Sequence, residues 1–86
     1  MTTAKGAFHM SVSDKVEAVL SLSGKKKIEL AEALGLGSKQ AMTNKFSRDS
    51  WTATDLIKVA ELTGCKLQFV FPDDQRIMLT MDDVRK

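Results

Sequence analysis

The chain has 86 residues, 43% of them hydrophobic and 28% charged, with a formal net charge of +2. That length admits one domain with a small core, so association of copies is a natural way to bury more surface. One cysteine excludes an internal disulfide and favours a reducing, cytoplasmic setting. With one histidine besides, no metal cluster or catalytic triad can be assembled, so neither enzymatic activity nor a cofactor is expected. No apolar run approaches the roughly 20 residues that a membrane helix needs, and no signal peptide is expected.

The first ten residues, Met1 to Met10, show no periodicity. They read as a disordered tail or tag remnant, with the His9-Met10 pair compatible with a cloning scar. Residues 11–86 read as one domain. A first helix is predicted from about Ser13 to Leu22, with Val12, Val16, Val19 and Leu20 forming one apolar stripe. Ser11 or Ser13 can cap its start, and Gly24 closes it.

A second helix is predicted from about Lys26 to Leu34, with Ile28, Leu30, Ala31 and Leu34 facing inward and Gly35 ending it. A third starts at the N-cap Ser38 and runs to about Ser47. Met42 and Phe46 form its apolar pair, while Gln40, Thr43, Asn44 and Ser47 point the other way. The fourth helix has the clearest start: Thr52 and Asp55 form a capping box, Trp51 can staple onto Leu56, and Gly64 ends the run through Leu56, Val59, Ala60 and Leu62.

The period then changes to two. Residues Lys66 to Phe71 and Arg76 to Met81 alternate as strands around the turn Pro72-Asp73-Asp74-Gln75, with Leu67, Phe69 and Phe71 expected to pack on the helices. Thr80 and Asp83 suggest a last helical turn. Cys65, Met78 and Met81 are expected to be buried.

Charge is uneven. Residues 1–48 carry 8 basic and 4 acidic side chains, whereas residues 49–86 carry 5 basic and 7 acidic. The basic excess coincides with the second and third helices, where Lys25, Lys26 and Lys27 precede an exposed helix of amides and hydroxyls. Such a pairing suits a reader of the DNA major groove.

The run LAEALGLGSKQAMTNKFSR resembles the helix-turn-helix of the lambda-repressor and Cro-like (XRE-type) regulators. The likeness rests on Leu30-Ala31, Gly35, Leu36, Ser38 and Met42, and helix four, DLIKVAELTG, is similar to the next helix of that family. It covers roughly residues 13–64. Gly37 makes the turn one residue longer than the family pattern, and Lys27 stands where that family often has Gln. The resemblance implies a mainly α fold of four to five helices; the C-terminal β-hairpin, read from the alternation above, lies outside the family's minimal core. The resemblance also implies a bacterial or phage-borne dimeric transcriptional regulator, expected to be a repressor.

For double-stranded DNA, the expected base contacts are Lys39, Gln40, Thr43 and Asn44. The expected phosphate contacts are Lys25, Lys26, Lys27, Ser38, Arg48 and Ser50. A homodimer is expected through the hairpin, by way of Leu67, Phe69, Val70, Phe71, Ile77, Met78 and Leu79, facing a pseudo-palindromic operator. The alternative is a protein-interaction module, such as an antitoxin or adaptor, in which helices or hairpin grip a protein partner.

Overall fold

Four helices and a two-stranded antiparallel hairpin make up residues 10–84, the part of the chain that the computed structural model describes. The helices are α1 (Val12–Ser23), α2 (Lys27–Leu34), α3 (Lys39–Arg48) and α4 (Ala53–Thr63). Strands β1 (Leu67–Val70) and β2 (Arg76–Leu79) follow, then a short 3-10 turn at Met81–Asp83. The expected tail lies outside the described residues except for Met10, as do Arg85 and Lys86.

Local chemistry explains the boundaries. Ser11, rather than Ser13, caps α1: its hydroxyl accepts the Asp14 N–H while the Asp14 carboxylate accepts the Ser11 N–H, both at 3.1 Å. Thr52 and Asp55 exchange the same pair of bonds at the start of α4. Gly35 ends α2 at φ 74°, in the left-handed region that a side chain would strain. The helix α3 ends on Asp49, a non-glycine residue also in the left-handed region at φ 55°.

The core is made by α1, α2, α3 and α4 together. Val16, Leu20, Leu30, Met42 and Val59 are buried in one cluster, with Leu30 fully enclosed. Val19, Ala31, Leu34, Phe46, Trp51 and Leu56 pack around it. Three helix stripes differ from expectation. Val12, in the first turn of α1, is exposed, and Ile28 is 67% exposed because it faces a recess between α2 and α3. Ile57, which the expected stripe of α4 omitted, is buried.

The hairpin departs most from expectation. Its register pairs Leu67 with Leu79, Gln68 with Met78, Phe69 with Ile77 and Val70 with Arg76. The loop is a Pro72-Asp73 turn closed by Asp74 N–H on Phe71 O at 2.8 Å, with Asp74 left-handed at φ 71°. This is the three-residue connection that follows a type I turn with one left-handed residue. Only Leu67, Gln68 and Leu79, at the end nearest α4, are half-buried among the strand residues.

Phe69 (61% exposed), Phe71 and Ile77 (55%) therefore do not pack on the helices, because the strands run on past α4. Met78 and Met81 are exposed rather than buried. Met81 leaves the strand because the Thr80 and Asp83 side chains cap a helical turn there. Cys65, directly after the helix-ending Gly64, is also exposed rather than buried.

Candidate nucleic-acid interface

The outer face of α3 is set by how its inner face is held. Met42 is buried in the core, and the Phe46 ring meets the Trp51 ring edge-on, with centroids 5.1 Å apart. At its C-terminal end, Asp49 accepts the Ser13 N–H at 2.7 Å and lies 2.7 Å from the Ser13 hydroxyl. One residue thus ends α3 and satisfies an orphan amide in the first turn of α1. These Ser13 hydrogen bonds, side chain first and backbone second, hold the Asp49 carboxyl below its ordinary pKa.

A second anchor joins α3 to α4. Lys45 Nζ lies 2.7 Å from Asp55 Oδ2, with both side chains only 16% exposed, and donates to the Ser50 carbonyl at 3.0 Å. Burial opposes ionisation of Asp55, but the hydrogen bonds from Lys45 and Thr52 outweigh it and lower its pKa. The ammonium also sits 5.5 Å above the Trp51 ring. Nothing local in the sequence marks Lys45, because its partner lies ten residues away beyond a turn and no periodicity links the two. Ser13 resembles an ordinary capping residue in the sequence for the same reason: its partners lie 33 to 38 residues on.

With the inner face fixed, the expected base-reading residues share the outer one. Lys39, Gln40 and Thr43 are exposed and Asn44 is half-exposed. Gln40 Nε2 donates to Asn44 Oδ1 at 3.1 Å. Ser38 spends its hydroxyl on the Ala41 N–H, as an N-cap does.

Lys27, Ser38, Lys39 and Thr43 border one recess of about 750 Å³ between α2 and α3, with Ile28, Met42 and Phe46 also lining it. Lys25 is half-buried and Lys26 exposed at the start of α2; Arg48 and Ser50 are exposed at the far end of α3. Ser38 thus stands at the start of α3 and Arg48 and Ser50 at its end, while Lys27 meets α3 at Phe46.

Lys27 is already engaged. Its ammonium lies 2.7 Å from Glu17 and 4.6 Å from the centre of the Phe46 ring. Both ion-pair partners are 53% exposed, and such pairs contribute only about 0.2–1 kcal/mol. A phosphate can therefore compete for this lysine at little cost.

Among the described residues no group of acidic, histidine or cysteine side chains is placed to hold a metal ion. Among the described residues no helix is long and apolar enough to cross a membrane. Comparison with family models, with curated proteins and with solved structures found no match to this chain.

Proposed function

We propose that this protein is a small sequence-specific DNA-binding regulator. In this reading α2 and α3 form a helix-turn-helix of the lambda-repressor and Cro-like kind. Helix α3 enters the major groove, where Lys39, Gln40, Thr43 and Asn44 meet base edges. Lys25, Lys26, Lys27, Ser38, Arg48 and Ser50 meet phosphates on either side and set the register.

The observation that carries the reading is the asymmetry of α3. Its inner side is tied to α1, α4 and the core by Met42, Lys45, Phe46 and Asp49, while an amide- and hydroxyl-bearing side faces water. A reading surface works when its support is rigid.

The same proposal makes the protein a homodimer. Phe69, Val70, Phe71, Ile77 and Met78 are exposed on the two faces of a hairpin whose outer edges have no neighbouring strand among the described residues. A two-stranded ribbon with this much apolar surface gains from pairing with a second copy. A two-fold pair sets two α3 helices about 34 Å apart on one side of a duplex. Binding over a promoter then represses by occlusion.

A second reading draws on the recess beside α3. Its apolar lining of Ile28, Met42 and Phe46 suits a protein partner better than a phosphate backbone. In that reading the protein is an antitoxin-like or adaptor module.

Selection from a random duplex pool at two salt concentrations separates the two. Enrichment of an inverted repeat, with affinity falling steeply as salt rises, supports the regulator. Weak, sequence-blind retention that salt abolishes supports the protein-partner module.

A further inference from the structure

We propose that the recess between α2 and α3 binds a small amphiphilic monocarboxylate, its carboxylate at Lys39 and its apolar body lying toward Phe46, and that occupancy releases the protein from DNA. The site stands on the recess itself; the regulatory half rests on the DNA-binding reading above.

The recess holds about 750 Å³, inside the range of about 300–1,000 Å³ that small-molecule sites occupy. It is bounded on four sides. Ile28 and Ala31 of α2 and Met42 and Phe46 of α3 line the two walls, and the connecting turn through Leu36, Gly37 and Ser38 closes one end. At the other end Lys27 reaches across to α3, its ammonium 4.6 Å from the centre of the Phe46 ring. A partner's helix or strand needs a groove open at both ends, and a sugar-phosphate backbone gains nothing from apolar walls. A compact apolar molecule suits both. Ile28 is 67% exposed on one wall, although its helix encloses Leu30 completely. Such a side chain is surface that a ligand gains by covering.

Charge selects the head group and the end at which it sits. Lys39 opens α3 beside the closing turn, with no acidic side chain within salt-bridge distance among the described residues. Lys27, at the far end, is already paired with Glu17 at 2.7 Å. The Ser38 hydroxyl is spent on the Ala41 N–H, which leaves the Lys39 ammonium as the side-chain donor at this end. Glu32 also borders the recess and repels a second negative charge, which limits the ligand to a monoanion. Lys39 and Phe46 lie two helical turns apart, so the apolar body spans about 10 Å.

Lys39 and Thr43 border the recess and are base contacts in the DNA reading. A carboxylate at Lys39 neutralises a charge that the duplex uses. Ligand and duplex then compete, and each weakens the other by the same factor.

The probe is octanoate, an acyl carboxylate of that length, set against octanamide, its neutral counterpart. Amide and methyl chemical shifts of the full chain are titrated with each. Octanoate is expected to move the signals of Ile28, Met42 and Phe46 saturably and to bind severalfold more tightly than octanamide. Lys39→Gln is expected to abolish that preference and leave octanamide binding as it was. Ile28→Gln, at an exposed position, is expected to weaken both probes. Equal affinity for the two probes, an undiminished preference in Lys39→Gln, shifts confined to the hairpin, or no saturable binding each overturns the site.

The regulatory half is read on a duplex that the protein itself selects. Saturating octanoate is expected to weaken that complex by about tenfold relative to the same concentration of acetate. Unchanged affinity with the recess occupied overturns the regulation and leaves the site standing. Failure to select any duplex defeats the DNA reading and the regulation with it, while the chemical-shift titration still decides the site.

Discussion

Trp51 donates its indole N–H to the Ser13 hydroxyl at 2.9 Å, across 38 residues of chain. The same hydroxyl lies 2.8 Å from the Phe46 carbonyl and 2.7 Å from Asp49 Oδ1, so its single proton is shared between two acceptors. One buried serine therefore holds together the start of α1, the end of α3 and the approach to α4. Ser13→Ala leaves the part-buried indole N–H without its acceptor and should cost about 1–3 kcal/mol. Urea denaturation measures this; a loss near zero would show that water replaces the hydroxyl.

Lys45 and Asp55 form the other cross-helix tie, and both are mostly shielded from water. An exposed pair contributes about 1 kcal/mol at most, whereas stripping one partner from a fully buried pair costs about 3–5 kcal/mol. Lys45→Met keeps the aliphatic stem and should fall between those limits, at about 1–3 kcal/mol. Asp55→Ala removes the same tie and also the reciprocal cap at Thr52, so it should cost more. Equal losses would mean that the cap contributes nothing.

Acid should weaken the fold through the same two carboxylates. Asp49 and Asp55 both have folded-state pKa values below the ordinary one, Asp49 through its bonds from Ser13 and Asp55 because its hydrogen bonds outweigh burial. The unfolded chain then takes up protons first. The stability these groups contribute is complete above the unfolded value of about 3.9 and is lost as pH falls from there through the folded values. Thermal melts are expected to be flat with respect to these groups from neutrality to about pH 5 and to decline below about pH 4. Asp49→Asn and Asp55→Asn should each flatten that decline while lowering stability at neutral pH.

The helices were legible in the sequence because their signals are local. Ser38, Thr52 with Asp55, and the glycines after α1, α2 and α4 act within four residues of the ends they define. Burial was legible where it follows period, as at Leu30 and Met42, and illegible where it depends on what lies opposite. Ile28 shares its helix with Leu30 yet faces the recess, and Phe69 alternates correctly with Leu67 yet extends beyond α4. Candidate contacts could be named by residue type, but the engagement of Lys27 by Glu17 and Phe46 required three helices to be assembled.

The exposed hairpin gives a test of the proposed dimer that leaves the helical core untouched. Phe69 and Ile77 are a cross-strand pair, more than half exposed. A charge at either position meets water in a monomer and apolar surface in a dimer. Phe69→Asp and Ile77→Asp are expected to keep the helical circular dichroism signal and to halve the mass measured by light scattering at tens of micromolar. A monomeric mass for the unaltered protein would remove the dimer from the proposal.

The ion pair between Lys27 and Glu17 yields the last expectation. If Lys27 meets a phosphate, its pair with Glu17 is in competition with DNA, and the acidic side chain also repels the duplex. Lys27→Ala should weaken binding to all sequences alike and reduce the salt slope by about 1. Glu17→Ala should act in the opposite direction, tightening binding severalfold at low salt and less at high salt, because screening already weakens the exposed pair. Lys26 has no acidic side-chain partner within salt-bridge distance among the described residues, so Lys26→Ala should match Lys27→Ala in slope. If Glu17→Ala leaves affinity unchanged while Lys27→Ala abolishes it, the lysine acts through its packing on the Phe46 ring rather than through charge delivered to the backbone of DNA.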